Sequence, residues 1–103
     1  MIKKKVKKPL NDLIIFGIYS AGGKCAFEQL IKECFSLFPD CFSFPENKKW
    51  PDSRKLDRPL RTLRKKKLIT GDPRAFFSLT KIGRKKAEEI ARIFKQGRLN
   101  LYE

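Results

Sequence analysis

A chain of 103 residues, 41% hydrophobic and with nine Phe, carries enough apolar material for one globular core and is not a disordered basic tail. Its 25 Lys and Arg against 11 Asp and Glu, a formal charge of +14, point to a polyanionic partner. Nucleic acid is the first choice, and a ribosomal or membrane surface the plainer one. With no His, and with Cys25, Cys34 and Cys41 showing no Cys-x-x-Cys spacing, a zinc site would need a carboxylate to complete an uncommon ligand set. Reduced thiols, mostly buried, are expected instead, with no metal and no cofactor.

Met1–Lys8 holds five lysines and no acid, which predicts a mobile basic arm over residues 1–9. Such an arm either keeps the chain soluble or touches phosphates, with Lys3, Lys4 and Lys5 as the candidate contacts. Basic Lys3–Lys8 ahead of apolar Leu13–Ile18 imitates a secretory leader. Asn11 and Asp12 interrupt it and the apolar run is short, so cleavage is not expected. No stretch approaches the ~20 apolar residues of a membrane span, and the expected location is the cytoplasm, beside nucleic acid.

Leu10–Ser20 reads as a first helix, apolar on so much of its surface that it belongs in the centre of the core, and Ala21-Gly22-Gly23 ends it. Lys24-Cys25-Ala26 is short enough for one extended rung. Phe27–Phe38 is a second helix, with Phe27, Leu30, Ile31, Cys34 and Phe38 on one stripe and Pro39 as its stop. Pro39–Pro51 is expected to be a loop, long for a compact domain, whose aromatics fold back on the core. For Trp50, core packing is preferred to the alternative of stacking on a base or wedging against a sugar.

From Asp52 to Ile69 a helical signal carries most of the charge. Asp52 and Ser53 offer caps, and Leu56, Leu60 and Leu63 recur on one edge, with Lys67 and Leu68 closing the stripe. At ~100° per residue Arg54, Arg58, Arg61 and Lys65 gather on the opposite side, flanked by Lys55 and Thr62. Ser53–Lys67 holds eight cations and one acid, a local +7, where a helix that only packs would mix the signs. Pro59 predicts a kink near Arg58 or a fresh helical start. Arg64 lies nearer the leucine edge and is expected to snorkel.

Leu68-Ile69-Thr70, the turn Gly71-Asp72-Pro73-Arg74 and Ala75–Leu79 read as a hairpin, with Ala75, Phe77 and Leu79 inward. Thr80 then caps a last helix, Lys81–Gln96, packed through Gly83, Ala87, Ile90, Ala91 and Phe94 and stopped by Gly97. Lys81, Arg84, Lys85 and Lys86 have the wrong sign for a helix N-terminus, relieved in part by Arg84–Glu88 and Lys85–Glu89 pairs. Ile93 and Leu99–Tyr102 leave apolar surface that permits a homodimer contact without requiring one. The expected organisation is an arm over 1–9, one domain over 10–97 and a tail over 98–103.

Three helices, a two-stranded hairpin and a closing helix is the order of a winged helix-turn-helix domain. The stretch Phe77-Ser-Leu-Thr-Lys-Ile-Gly-Arg-Lys-Lys-Ala87 resembles the passage from wing to last helix of prokaryotic winged-helix regulators, commonly aromatic-x-Leu-Thr-x-x-Gly-x-x-x-Ala. Leu60-Arg-Thr-Leu-Arg-Lys-Lys-Lys-Leu-Ile69 is similar to the end of their third helix, usually Leu-x-x-Leu-x-x-x-Gly-Leu-Ile. The likeness spans roughly residues 10 to 96. It departs from the pattern in the Pro39–Pro51 insertion and in Lys67, where those proteins have Gly.

The resemblance implies a mainly α fold with a small β-hairpin. It implies a DNA-binding function, as a transcriptional regulator or as the DNA-binding module of a larger system. The third helix would enter a major groove, with Arg54, Arg58 and Arg61 facing base edges and Ser53, Lys55, Thr62 and Lys65 on phosphates. Arg74 at the wing tip would probe phosphate or minor groove. An RNA- or ribosome-binding winged helix and a protein-interaction winged helix are the alternatives. An enzyme is not expected. A Cys or Ser nucleophile would lack a His base, Glu88 and Glu89 diverge by ~100°, and Ala21-Gly-Gly-Lys-Cys25 is too short for a phosphate loop.

Overall fold

The computed structural model describes residues 10–71 and 74–101, and the side chains of 10–71 and 74–94. The basic arm and the turn residues Asp72 and Pro73 lie outside the described residues. Those described form five helices and one three-stranded antiparallel sheet: α1 (Leu10–Ser20), β1 (Lys24–Ala26), α2 (Phe27–Leu37), α3 (Pro39–Phe42), α4 (Arg54–Lys65), β2 (Ile69–Gly71), β3 (Phe76–Leu79) and α5 (Lys81–Leu101).

The centre of the fold is α1. Leu13, Ile14, Ile15 and Ile18 are all buried, and the helix packs against α2, α4 and α5. It closes with a Schellman motif: Gly23 N–H donates to Ile18 O at 2.8 Å and Gly22 N–H to Tyr19 O at 3.0 Å, with Gly22 at φ 107°. The chain thereby turns straight into β1, which is a true strand rather than a lone rung. Sheet order is β1-β3-β2, with Cys25 opposite Phe77 and Ile69 opposite Leu79. The expected two-stranded hairpin thus gains a third strand from the residues after α1. Phe77 is fully buried at the middle of β3, whereas Ala75 lies outside the strand and is exposed, contrary to its expected inward place.

The Pro39–Pro51 segment is more ordered than a loop. Pro39 starts the single turn α3, which carries Phe42 into the core. Phe38 and Phe42 then join Phe16 and Phe94 in an aromatic cluster, the Phe16–Phe94 centroids 4.8 Å apart and edge-on. That cluster takes the packing role expected of Trp50, which is 62% exposed instead.

Of two further expected boundaries, the fresh start at Pro59 and the stop at Gly97, neither is present. One helix, α4, runs through Pro59, which forgoes a single backbone bond without starting a new segment. Nor does α5 stop at Gly97; it continues to Leu101. A glycine inside a helix costs only ~1 kcal/mol, and it acts as a stop only where the next residues leave the helix.

The end of α4 holds a conformational cost. Lys67 N–H donates to Arg64 O and Leu68 N–H to Leu63 O, both at 3.0 Å, a second Schellman motif with Lys67 in the glycine position at φ 62°. An L-residue with a Cβ pays about 1 kcal/mol there. Lys67 is exposed and closes no apolar stripe. Lys67→Gly should therefore raise stability by about 1 kcal/mol, read as a higher urea midpoint at unchanged slope.

Candidate nucleic-acid interface

The amphipathic reading of α4 holds. Leu56, Leu60 and Leu63 are buried, while Arg54, Arg58, Arg61 and Lys65 are exposed. The face continues into exposed Lys66 and Lys67, with Ser53 exposed at its start and Lys55 and Thr62 half-buried along its edge. The cations are not equivalent. Arg61 makes only a long, solvent-exposed pair with Asp57, at 3.8 Å, of the kind that contributes little. Among the described residues, neither Arg58 nor Lys65 has a side-chain hydrogen bond or ion pair.

Arg54 is committed elsewhere. Its Nε and Nη2 both donate to the Asp52 carboxylate at 2.9 Å, and its guanidinium carbon lies 5.1 Å from the centre of the Phe44 ring. Two of the donors expected to read a base are thus occupied by the protein's own acid. Asp52, only 2% exposed, is the working cap of α4: its Oδ1 also accepts from Arg54 N–H at 3.1 Å, whereas Ser53 makes no side-chain cap bond. The charged hydrogen bonds from Arg54 hold the Asp52 carboxyl below its ordinary value of 3.8, against the opposing effect of its burial.

A carboxylate whose folded value is depressed contributes stability above its ordinary value. That contribution is lost as pH falls through the folded one. Asp52→Asn keeps a cap but not the ion pair, so its acid limb in a melting-temperature profile should be flatter than wild type below pH ~4. Asp52→Ala loses both and should melt roughly 4–8 °C lower near neutral pH.

The far end of α4 is fastened to the hairpin. Arg64, expected to snorkel along the leucine edge, is half-buried and donates from Nη1 to Gly71 O at 2.8 Å. The Thr80 hydroxyl lies 2.7 Å from Lys67 O and accepts from Gly83 N–H at 3.0 Å, so one side chain caps α5 and grips the α4–β2 junction. Gly83 lies so close to the Leu68 carbonyl that a Cβ there would fall inside van der Waals contact. Leu79, Thr80 and Gly83 together set α5, the hairpin and the basic helix at one joint.

Arg74 is exposed where the turn enters β3. Lys3, Lys4 and Lys5 lie outside the described residues. On α5, Lys81, Arg84, Lys85 and Lys86 are all exposed, but neither Arg84–Glu88 nor Lys85–Glu89 closes to an ion pair. The weaker orientation of each pair and full hydration leave too little gain to hold two long side chains together. The Arg84 guanidinium lies over Gly23 instead. Ile82 and Ile93 are both more than half exposed on this helix.

Cys25 and Cys34 are buried and unbridged, their thiols pushed up to about 11 and about 12 by burial. Both are protonated at neutral pH, the opposite of a reactive or metal-binding thiolate. Among the described residues no group of three or more His, Cys, Asp or Glu is placed to hold a metal ion, and no helix is long and apolar enough to cross a membrane.

Sequence reasoning missed one feature of this face, Asp52 as the acid that occupies Arg54, and preferred core packing for Trp50, which is exposed. The acid was signalled by the i,i+2 spacing of Asp52 and Arg54. No protein-family model, curated protein or solved structure matches the chain.

Proposed function

We propose that this chain is a winged-helix DNA-binding protein, a transcriptional regulator or the DNA-binding module of a larger system. On this reading α4 enters a major groove and the β2–β3 hairpin is a short wing on the neighbouring backbone. The observation that carries it is the exposed row Arg58, Arg61 and Lys65, in which only Arg61 has a partner, the long pair with Asp57, on a helix whose leucine edge is buried. Those cations have no structural employment inside the fold. Arg58 and Arg61 are the base-reading candidates, Ser53, Lys55, Thr62 and Lys65 the phosphate contacts, and Arg74 the wing's probe. Arg54 positions the start of the helix through Asp52 and reaches DNA only by releasing it. Lys67 supports the same reading, since a cation is kept where glycine would be more stable.

Fluorescence anisotropy with matched DNA and RNA duplexes, titrated across salt, tests this. A DNA affinity that falls steeply and linearly in log salt is expected, with slope about −0.9 per phosphate neutralised. Preference for the RNA duplex would turn the reading to RNA. Absence of binding to either at moderate salt would overturn it in favour of an acidic protein partner.

A further inference from the structure

Trp50 is the chain's single tryptophan, and it stands 62% exposed in the segment that leads into α4. Exposure of one apolar side chain is ordinary, and Phe76, Ile82 and Ile93 share it; Trp50 differs in the two exposed lysines, Lys48 and Lys49, that precede it. Its position is fixed by backbone bonds. Ser43 and Pro51 form a bridge, Phe44 N–H donates to Trp50 O at 3.0 Å, and Trp50 N–H donates to Asn47 O at 3.2 Å. Asn47 also accepts Lys49 N–H on its side-chain oxygen at 3.0 Å, an Asx turn that closes the ribbon.

Phe44 and Trp50 oppose each other across this ribbon, and Phe44 is the ring beneath the Arg54 guanidinium. The backbone of Trp50, four residues ahead of the first residue of α4, is thus tied to that of Phe44. Exposed Lys48 and Lys49 precede it, and the one acid of the turn, Glu46, acts on Arg54.

The geometry points to Trp50 as a stacking platform for a nucleobase left unstacked beside the duplex that α4 grips. This inference rests on the DNA-binding reading above and names the form of DNA preferred: a duplex flanked by single strand. An indole face needs a base face. A continuous duplex shows proteins only its backbone and base edges, whereas an overhang, a nick or a bulge presents the π-surface itself. Cations beside the aromatic hold the strand's backbone while the base stacks, the arrangement that suits single-strand contact.

The sole tryptophan makes the test direct. Two DNA ligands are used: a duplex closed at both ends by non-nucleotide linkers, which carry no base, and the same duplex opened to carry a short 3′ or 5′ overhang. Anisotropy gives affinity and Trp50 emission gives stacking. Strong quenching is expected with the overhang ligands only, with about tenfold tighter binding for one polarity. Trp50→Ala should bind the closed duplex as wild type does and lose the overhang preference, while Trp50→Phe keeps part of it.

Equal affinity and equal emission for closed and overhung ligands would overturn the platform and leave the α4 reading standing. So would an overhang preference that survives Trp50→Ala. If wild type binds neither ligand, the α4 reading falls and the platform with it.

Discussion

Replacing Gly83 with alanine should cost about 3 kcal/mol of stability, although alanine is the better helix former by about 1 kcal/mol. The added methyl would meet not a movable side chain but the carbonyl of Leu68, held by Thr80 N–H at 3.0 Å. Relief requires α5 to lift from the junction or β2 to shift. The first uncouples the Thr80 hydroxyl from Lys67 O, and the second disturbs the pairing of Ile69 with Leu79. Urea unfolding measures the loss directly. A cost below about 1 kcal/mol would mean that the joint yields cheaply and that the Leu-Thr-x-x-Gly spacing has another cause. Alanine at Lys32, exposed on α2, is the control and should change stability by only a few tenths of a kcal/mol.

The second large effect lies on binding. Arg58→Glu/Arg61→Glu should weaken DNA binding by about 100-fold or more near 0.1 M salt, and the log-salt slope should shrink by at least about 2. Both guanidiniums are exposed, and the one ion pair lost, Arg61–Asp57, is long. Folding should therefore be nearly unchanged, apart from a few tenths of a kcal/mol for the new like-charge spacing of Glu at 61 with Asp57. Circular dichroism and a thermal melt separate that small effect from the loss of affinity. If the double variant binds as wild type does, α4 is not the interface, and the hairpin or the N-terminal lysines take its place.

The parts of this fold legible in the sequence are those set by local rules. The bounds of α1 follow from an apolar run ended by two glycines, and the two faces of α4 from leucine spacing. The role of Thr80 follows from a hydroxyl placed three residues before a glycine. What escaped depends on choices made in three dimensions. One large aromatic was needed beside Phe38, and both Phe42 and Trp50 were available. Phe42 won because Pro39 starts a turn that delivers it, and the ribbon beyond turns Trp50 outward. The strand character of Lys24–Ala26 depends on β3, some fifty residues away, and no local signal reports that pairing. Gly97 misled because a helix stop needs a change of direction as well as a permissive residue.

On the candidate face, the position and sign of the charge were readable, but its availability was not. In the sequence Arg54 is set apart from Arg58 by the acid two residues ahead of it, a spacing that does not report burial. Only the buried Asp52 distinguishes the arginine that steadies the helix from the one left open to a ligand.

The open row on α4 also makes the protein's folding answer to its ionic surroundings. Folding lines Arg58, Arg61 and Lys65 along one helix, with Lys66 just past its end and Asp57 the one acid within the helix, and the native state carries that mutual repulsion. Anything that screens or neutralises the row favours the folded chain over the unfolded one, in which the same charges spread apart. A bound polyanion does so most strongly, by an amount that grows with its concentration over its dissociation constant. Free chain and occupied chain are then two species of different durability, the occupied one slower to unravel and harder to digest.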